Sequence, residues 1–506
     1  MERNQYIEIQ NNSPSSYLKS VPDLDSPDFI KRIEEGLKGE EKHCIAYFGV
    51  RSGSGVKLFC FIADDLRMSV EVFSHEISEV NKVLPSVTPV HPQIHIFERE
   101  INENFGIFFE GHPWFKPVRF AHNRADQRLR IKDYPFYRIE SEELHEVGVG
   151  PVHAGIIEPG HFRFICNGEK VLHLEIQLGY QHRGVESLFV SSGNPLRKCL
   201  LSESVAGDTA AGHALAHSQL IESLADIDVS ENLQIERCIA LELERIAVHI
   251  GDTAALCGDV AYQPGQVVNE ALRTKVINTT QFWCGNRFSK GLIRPGGTNY
   301  PLTEEVAEEI LRVADDIEKR FGEISEAIYT SPSVLSRFDE IGKVTRRQSL
   351  LAGLVGPSAR MCGIPRDVRK SHPFQYYRQL TFEPVTLNTG DVLARGMIRS
   401  LEIMQSLQIV RNLINEWSKM NKQAGRPVYN YKLKPDSFAV SLVEGWRGEI
   451  CHIAMTDTYG NIFHYKIKDP SMHNWMALAL AVRNQEISDF PVCNKSFNLS
   501  YCGHDL

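Results

Sequence analysis

"HFRFICNGEKVLHLEIQL", residues 161–178, alternates apolar and polar side chains on both sides of Asn167-Gly168. Period-two alternation turns one face of each strand to a core, and Asn-Gly suits a type I′ turn, so the stretch predicts a β-hairpin. After it the pattern changes, and helices are predicted at about 208–226, 231–257, 265–286, 303–328 and 391–420. In 303–328 acidic residues crowd the first turns and apolar residues recur three and four apart. Strand character returns in "GWRGEICHIAMTDTYGNIFHYKIKDP" (445–470), around Tyr459-Gly460. The hairpin therefore opens a large, mainly helical unit with β-hairpin additions at its two ends.

Upstream lies a smaller unit. Residues 26–38, "SPDFIKRIEEGLK", predict an amphipathic helix with Ser26 as N-cap, Pro27 at the first helical position, and Phe29, Ile33 and Leu37 on one face. "CIAYFGV" (44–50) and "VKLFCFIAD" (56–64) read as a hairpin about the Gly/Ser turn at 52–55, and 94–113 continues this α+β unit. Residues 120–150 are polar and lack long apolar patterns, as a linker does. The fold class is α+β: a small N-terminal α+β domain (1–130), a linker (131–148) and a large, mainly helical domain (149–506).

A chain of 506 residues is long enough for more than one core, and 42% hydrophobic with 24% charged residues is ordinary for a globular protein. A net charge of −9 with no Lys/Arg block gives no electrostatic basis for nucleic-acid binding. The N-terminus lacks the apolar core of a signal peptide, and no run of about 18 apolar residues occurs, so a cytoplasmic or membrane-peripheral location is expected. None of the eleven cysteines stands in a C-x-x-C pair. Neither a disulfide framework nor a cluster of the chain's own is expected, and the thiols read as small buried hydrophobes.

Several motifs together resemble a known family pair. "EREINENFGIFFEGHP" (98–113) is similar to the signature of the 30-kDa (C-type) subunit of respiratory complex I, with Glu103 where Asp is usual. "GPVHAGIIEPGHFRF" (150–164), "LGYQHRGVESL" (178–188), "IRPGG" (293–297), "DVRKSHPF" (367–374), "GDVLARGMIRSLEIMQSL" (390–407), "RGE" (447–449) and "DPSMHNW" (469–475) run in the order of the 49-kDa (D-type) subunit. They resemble more closely the large subunits of group 4 membrane-bound [NiFe] hydrogenases. The resemblance implies a complex I 30-kDa-like domain fused to a hydrogenase large-subunit domain, on the cytoplasmic face of the cell membrane. Implied partners are an Fe-S small subunit, a ferredoxin-like subunit, antiporter-like membrane subunits and a quinone.

In such hydrogenases two C-x-x-C pairs supply four soft thiolates to nickel and iron. The aligned stretch "SVAGDTAAGH" (204–213) has Ala206 and Thr209 at the first pair, and "NLSYCGHDL" (498–506) has Ser500 and Gly503 at the second, with Cys502 one residue off register. A Ni-Fe site is therefore expected to be absent, no cofactor is expected on this chain, and Fe-S clusters are assigned to the partner. Hydrogen chemistry of its own is not expected. D-type subunits hold a quinone headgroup with a His and a Tyr; here the matching regions offer Ile156, Ile157 and Glu158, and Gly207 and Asp208.

What the resemblance leaves is a cavity lined by Glu158, Asp208, His213 and His504, with Asp367 and Arg369 nearby. A Glu at the place of Glu158 relays protons in hydrogenases, and a buried carboxyl suits that task. Structural readings stand beside these. His213 can be a satisfied core histidine, Asp208 can cap a helix beginning at Thr209, and His153 and His161 can hold a turn. Arg369 can pair with Asp367 or Glu158, Glu242-Glu244-Arg245 can form a mixed helix surface, and Cys502 can be a residual ligand. Three functions follow: a subunit coupling electron transfer to ion pumping, an oxidoreductase reducing quinone or another acceptor, and an inactive scaffold.

Overall fold

The computed structural model describes residues 5–53, 55–153, 157–420 and 425–506, so Ile156 lies outside the described residues. In the smaller unit, strands β1 (Ile7–Gln10), β3 (Lys42–Ser52), β4 (Gly55–Asp64) and β5 (Ser69–Ser78) form an antiparallel sheet in the order β1-β5-β4-β3. Helix α1 (Ser26–Gly36) buries Phe29 and Ile33, with Leu37 just beyond it, against Tyr47 and Phe73 of this sheet. Its cap is Asp25, whose carboxylate accepts from Asp28 N at 2.9 Å, not Ser26, which lies inside the first turn. A carboxylate there satisfies an orphan N–H and also meets the positive end of the helix. Helix α2 (His95–Phe105) ends at left-handed Gly106, and strands β6 (Val83–Pro85) and β7 (Phe108–Glu110) pair in parallel beside it.

The predicted hairpin is β9 (His161–Asn167) with β10 (Lys170–Gln177). Its two-residue loop is Gly168-Glu169, because Asn167 pairs with Lys170 inside the ladder. Gly168 has φ +57 while Asn167 and Glu169 have negative φ, which is the type II′ pattern and not I′. Strand β8 (His145–Val149), from the stretch read as linker, adds a third strand along β9.

The helical stretches appear as α3 (Val185–Ser191), α4 (Pro195–Ser202), α5 (Ala210–Ala225), α6 (Glu231–Asp259), α7 (Gln263–Cys284) and α8 (Glu304–Thr330). Short strands β11 (Ile293–Arg294) and β12 (Gly297–Thr298) sit between α7 and α8. Short helices α9 (Pro332–Phe338), α10 (Arg346–Ala352), α11 (Pro357–Arg360) and α12 (Val368–Ser371) lead to the long α13 (Val392–Ser418). Strands β13 (Ser437–Gly445), β14 (Gly448–Thr456) and β15 (Ile462–Lys468) follow, then α14 (Ser471–Ala481), α15 (Phe490–Phe497) and α16 (Tyr501–Asp505). Every residue of β13 and β14 is buried. One core holds Ala211 and Leu215 of α5, Leu442 and Ile453 of these strands, and Phe48 and Phe61 of the smaller unit's sheet.

The N-terminal arm crosses to the far end of the chain. Strand β2 (Ser16–Tyr17) joins the edge of β13, pairing Tyr17 with Ser437 and Ser16 with Phe438. The Asn11 amide donates to the carbonyls of His372 (2.8 Å) and Leu442 (3.0 Å) and accepts from Leu442 N (2.8 Å). Among the described residues no helix is long and apolar enough to cross a membrane.

Candidate functional site

The small residues of α5 are explained first by packing. A Cβ on Gly212 would meet Ile450 Cδ1 at 2.8 Å and Thr209 Cγ2 at 3.1 Å, so the helix start lies directly on β14. Its first N–H groups are capped from α6: Ala211 N and Gly212 N donate to the Glu244 carboxyl at 2.7 and 3.2 Å. Asp208 does not cap α5. It receives two parallel hydrogen bonds from the Arg447 guanidinium, at 2.5 and 2.8 Å, and its side chain remains 35% exposed. Arg447 also donates to Thr209 Oγ1 (3.1 Å) and to the Asn498 carbonyl (2.6 Å).

At the other aligned pair of positions, Ser500 is the N-cap of α16 and accepts from Gly503 N at 2.9 Å. Glu158 Oε2 accepts from Tyr501 N at 3.2 Å and from Cys502 N at 3.5 Å. A Cβ at Gly503 would sit 2.6 Å from Asp469 Cγ and 2.9 Å from Ser500 Oγ. The direction a cysteine side chain would take from 503 is therefore occupied by the Asp469 carboxylate. Burial, with Glu158 adding to it, pushes the Cys502 thiol up to about 11, so it stays protonated at neutral pH. Two hydroxyls, a methyl group and a glycine do not match the soft four-thiolate set of a nickel–iron centre.

His213 is fully buried with both ring nitrogens engaged: Nε2 lies 3.1 Å from Asp469 Oδ2, and Nδ1 3.0 Å from His452 Nε2. His452 Nδ1 is 2.9 Å from the Tyr465 hydroxyl, which lies 3.0 Å from His217 Nδ1. Burial works against ionisation of Asp469, but His213, Arg447 and the Ser471 side chain outweigh it and hold the carboxyl below its usual value; Ser471 N also donates to Asp469 Oδ1 at 2.8 Å. Desolvation lowers His452 far below the ordinary imidazole value and takes His217 to about 3.

Asp367 and Arg369 lie in a second buried neighbourhood. Arg369 grips Asp367 with two bonds (3.0 and 2.7 Å) and reaches Glu242 at 3.0 Å; Glu158 is not a partner. Glu242, Glu244 and Arg245 are buried, which corrects their reading as a helix surface: α6 is enclosed on its flanks by α7, α13 and α15, so it has no wet side there. Arg360 bridges Glu402 (3.0 Å) and Glu444 (2.8 Å), and Arg245 lies 3.3 Å from Glu242. Three guanidiniums (Arg245, Arg360, Arg369) thus face four carboxyls (Glu242, Asp367, Glu402, Glu444). Burial, with Asp367 adding to it, pushes Glu444 up to about 7.

His504 occupies a third place. Its Nδ1 lies 2.9 Å from Asp505 Oδ1 and its ring lines a small cavity of about 40 Å³ with His95, Trp114 and Trp475. Burial lowers it below the ordinary histidine value. The structure places Asp208 and His213 at one end of α5, ties Glu158 to α16, pairs Arg369 with Asp367 and Glu242, and sets His504 against Asp505. His153 Nε2 and His161 Nδ1 bind the Gly160 and Gly150 carbonyls (2.9 and 3.1 Å) and so tie residues 150–153 to 160–161. Asp469, His452, Tyr465, His217 and Arg447 escaped the residue-level reading, although Arg447 and Asp469 stand inside the motifs "RGE" and "DPSMHNW".

A small α+β unit is packed on a large, mainly helical unit, and Arg447 and Asp469 link the start of α5 to the segment around α16. The family description "Respiratory-chain NADH dehydrogenase, 49 Kd subunit" matches residues 260–505, and "Respiratory-chain NADH dehydrogenase, 30 Kd subunit" matches residues 23–136. The chain belongs to this family, with both types of unit on one polypeptide and hydrogenase subunits among its relatives. It is 30% identical over 355 residues to the carbon monoxide-induced hydrogenase of Rhodospirillum rubrum, covering 70% of this chain and 97% of that one. It is 26% identical over 478 residues to formate hydrogenlyase subunit 5 of Escherichia coli (strain K12), covering 91% of this chain and 81% of that one. A chain of the membrane-bound sulfane sulfur reductase (MBS), an archaeal respiratory membrane complex, shares the fold with a TM-score of 0.67 at 21% identity, covering 73% of this chain and 100% of that one.

Proposed function

We propose that this chain is a peripheral-arm subunit of a membrane-bound, ion-translocating complex, coupling electron transfer from a cluster-bearing partner to ion pumping without a nickel–iron centre of its own. The observation behind the missing centre is the contact at Gly503, where Asp469 fills the space a thiolate needs and is itself held by His213. The Fe-S clusters of this reading belong to a small subunit and a ferredoxin-like subunit, and the moved ion passes through antiporter-like membrane subunits at the cytoplasmic face. The chain binds no cofactor.

Glu158, which accepts from the backbone of the first turn of α16, is the proton-handling carboxylate of this reading, by analogy with hydrogenases. Metal analysis of the purified native complex tests the first part, and stoichiometric nickel on this subunit would overturn it. For the second part, Glu158→Gln should abolish coupled ion movement while the complex assembles; unchanged coupling would remove Glu158 from the path.

A further inference from the structure

The groups Asp469, His213, His452, Tyr465 and His217 form one unbroken buried hydrogen-bonded chain, with steps of 3.1, 3.0, 2.9 and 3.0 Å. Its two ends differ. Asp469 is an acceptor-only carboxylate when ionised, and it lies against the backbone of Gly503. His217 Nε2 is buried and has no hydrogen-bond partner among the described residues. Its ring lies 5.2 Å from Phe189 of α3, and the charges of Lys198 and Arg294 bear on it.

The acceptor end dictates every proton position when each imidazole carries one proton. His213 Nε2–H must donate to Asp469, which leaves His213 Nδ1 to accept from His452 Nε2–H. His452 Nδ1 then accepts the Tyr465 O–H, and the Tyr465 oxygen accepts from His217 Nδ1–H. All four donors point the same way, and the free lone pair is His217 Nε2.

We propose that this chain is a one-proton relay, taking up a proton at His217 Nε2 and delivering it to the His213–Asp469 pair beside Gly503. In one passage the added proton bonds to His217 Nε2. The Nδ1 proton of His217 moves to the Tyr465 oxygen, the Tyr465 proton to His452 Nδ1, the Nε2 proton of His452 to His213 Nδ1, and the Nε2 proton of His213 to Asp469 Oδ2. Every hydrogen bond survives with its direction reversed, and the chain has gained one proton and no electrons. The delivered charge offsets an electron arriving at that side of the subunit, and this purpose rests on the redox reading above. Three residues of the relay, His452, Tyr465 and His217, play no part in that reading, so it is a route separate from Glu158.

Two measurements test it. Long-range proton–nitrogen spectra of the histidine-labelled complex at neutral pH should show Nε2–H on His213 and His452 and Nδ1–H on His217. Tyr465→Phe keeps the ring stacked on Phe189 (centroids 4.1 Å apart) but removes the hydroxyl that joins His452 to His217. In that variant, and in His452→Gln, proton uptake on reduction of the intact complex, followed with a pH indicator, should slow at least tenfold. Other tautomers in the wild type, or wild-type uptake in a folded Tyr465→Phe complex, overturn the relay. A wild-type complex that accepts no electrons overturns the function proposed above instead, and the tautomers alone then decide the relay.

Discussion

Asp208 and Arg447, 239 positions apart, meet in a two-pronged ion pair that ties the start of α5 to the turn between β13 and β14. The guanidinium also lies 3.9 Å from the Trp446 ring centroid and holds the Asn498 carbonyl, so one side chain joins three segments of the chain. Arg447→Leu should cost about 2 kcal/mol, the scale of a charge-assisted double hydrogen bond. Asp208→Asn should cost less, because Asp208 is 35% exposed and water screens its charge. Denaturant midpoints of the two variants check the order.

Glu244 predicts a pH dependence. Burial lifts its carboxyl from 4.5 to about 8, so the folded chain keeps a proton that the unfolded chain gives up. Its contribution to stability is complete below pH about 4.5 and is lost as the pH rises through about 8. Glu244→Gln, which cannot ionise, should flatten that part of the stability–pH curve relative to wild type. An unchanged difference between the two proteins from pH 5 to 8.5 would contradict the assignment.

Gly503→Ala places a methyl group 2.6 Å from Asp469 Cγ and should cost about 1–3 kcal/mol by overpacking. The same change in an Asp469→Ala background should cost markedly less, since the colliding carboxylate is gone. A double-mutant cycle in urea measures this coupling.

Arg369→Leu removes the cation that faces both Asp367 and Glu242 and leaves these buried carboxylates only the partial cover of Arg360 and Arg245. The loss should be about 3–5 kcal/mol, larger than for Arg447→Leu. Thermal melts of the two variants side by side give the comparison.

Helix positions were legible wherever apolar residues recur at helical spacing and caps bound them; α8 begins one residue beyond its capping Thr303, as its acidic first turn suggests. The cap of α1 was misplaced by one residue because Asp25 and Ser26 are both good caps and only the backbone distinguishes them. Glu242, Glu244 and Arg245 read as surface because charge in a sequence carries no record of its partners, and here those partners lie on α5, α12, α13 and β13, far along the chain. The site suffered most from the same cause. His213 meets His452 and Asp469 across 239 and 256 residues, separations that no local pattern encodes.

The N-terminal arm has a consequence for how the two units cohere. Because β2 is stitched to β13 and Asn11 is wedged between His372 and Leu442, the chain is fastened at its beginning as well as through residues 120–150. The covalent connection is then a leash on a contact already complete without it: nicking the polar stretch should leave two fragments that travel together, and the halves made as separate polypeptides should find each other.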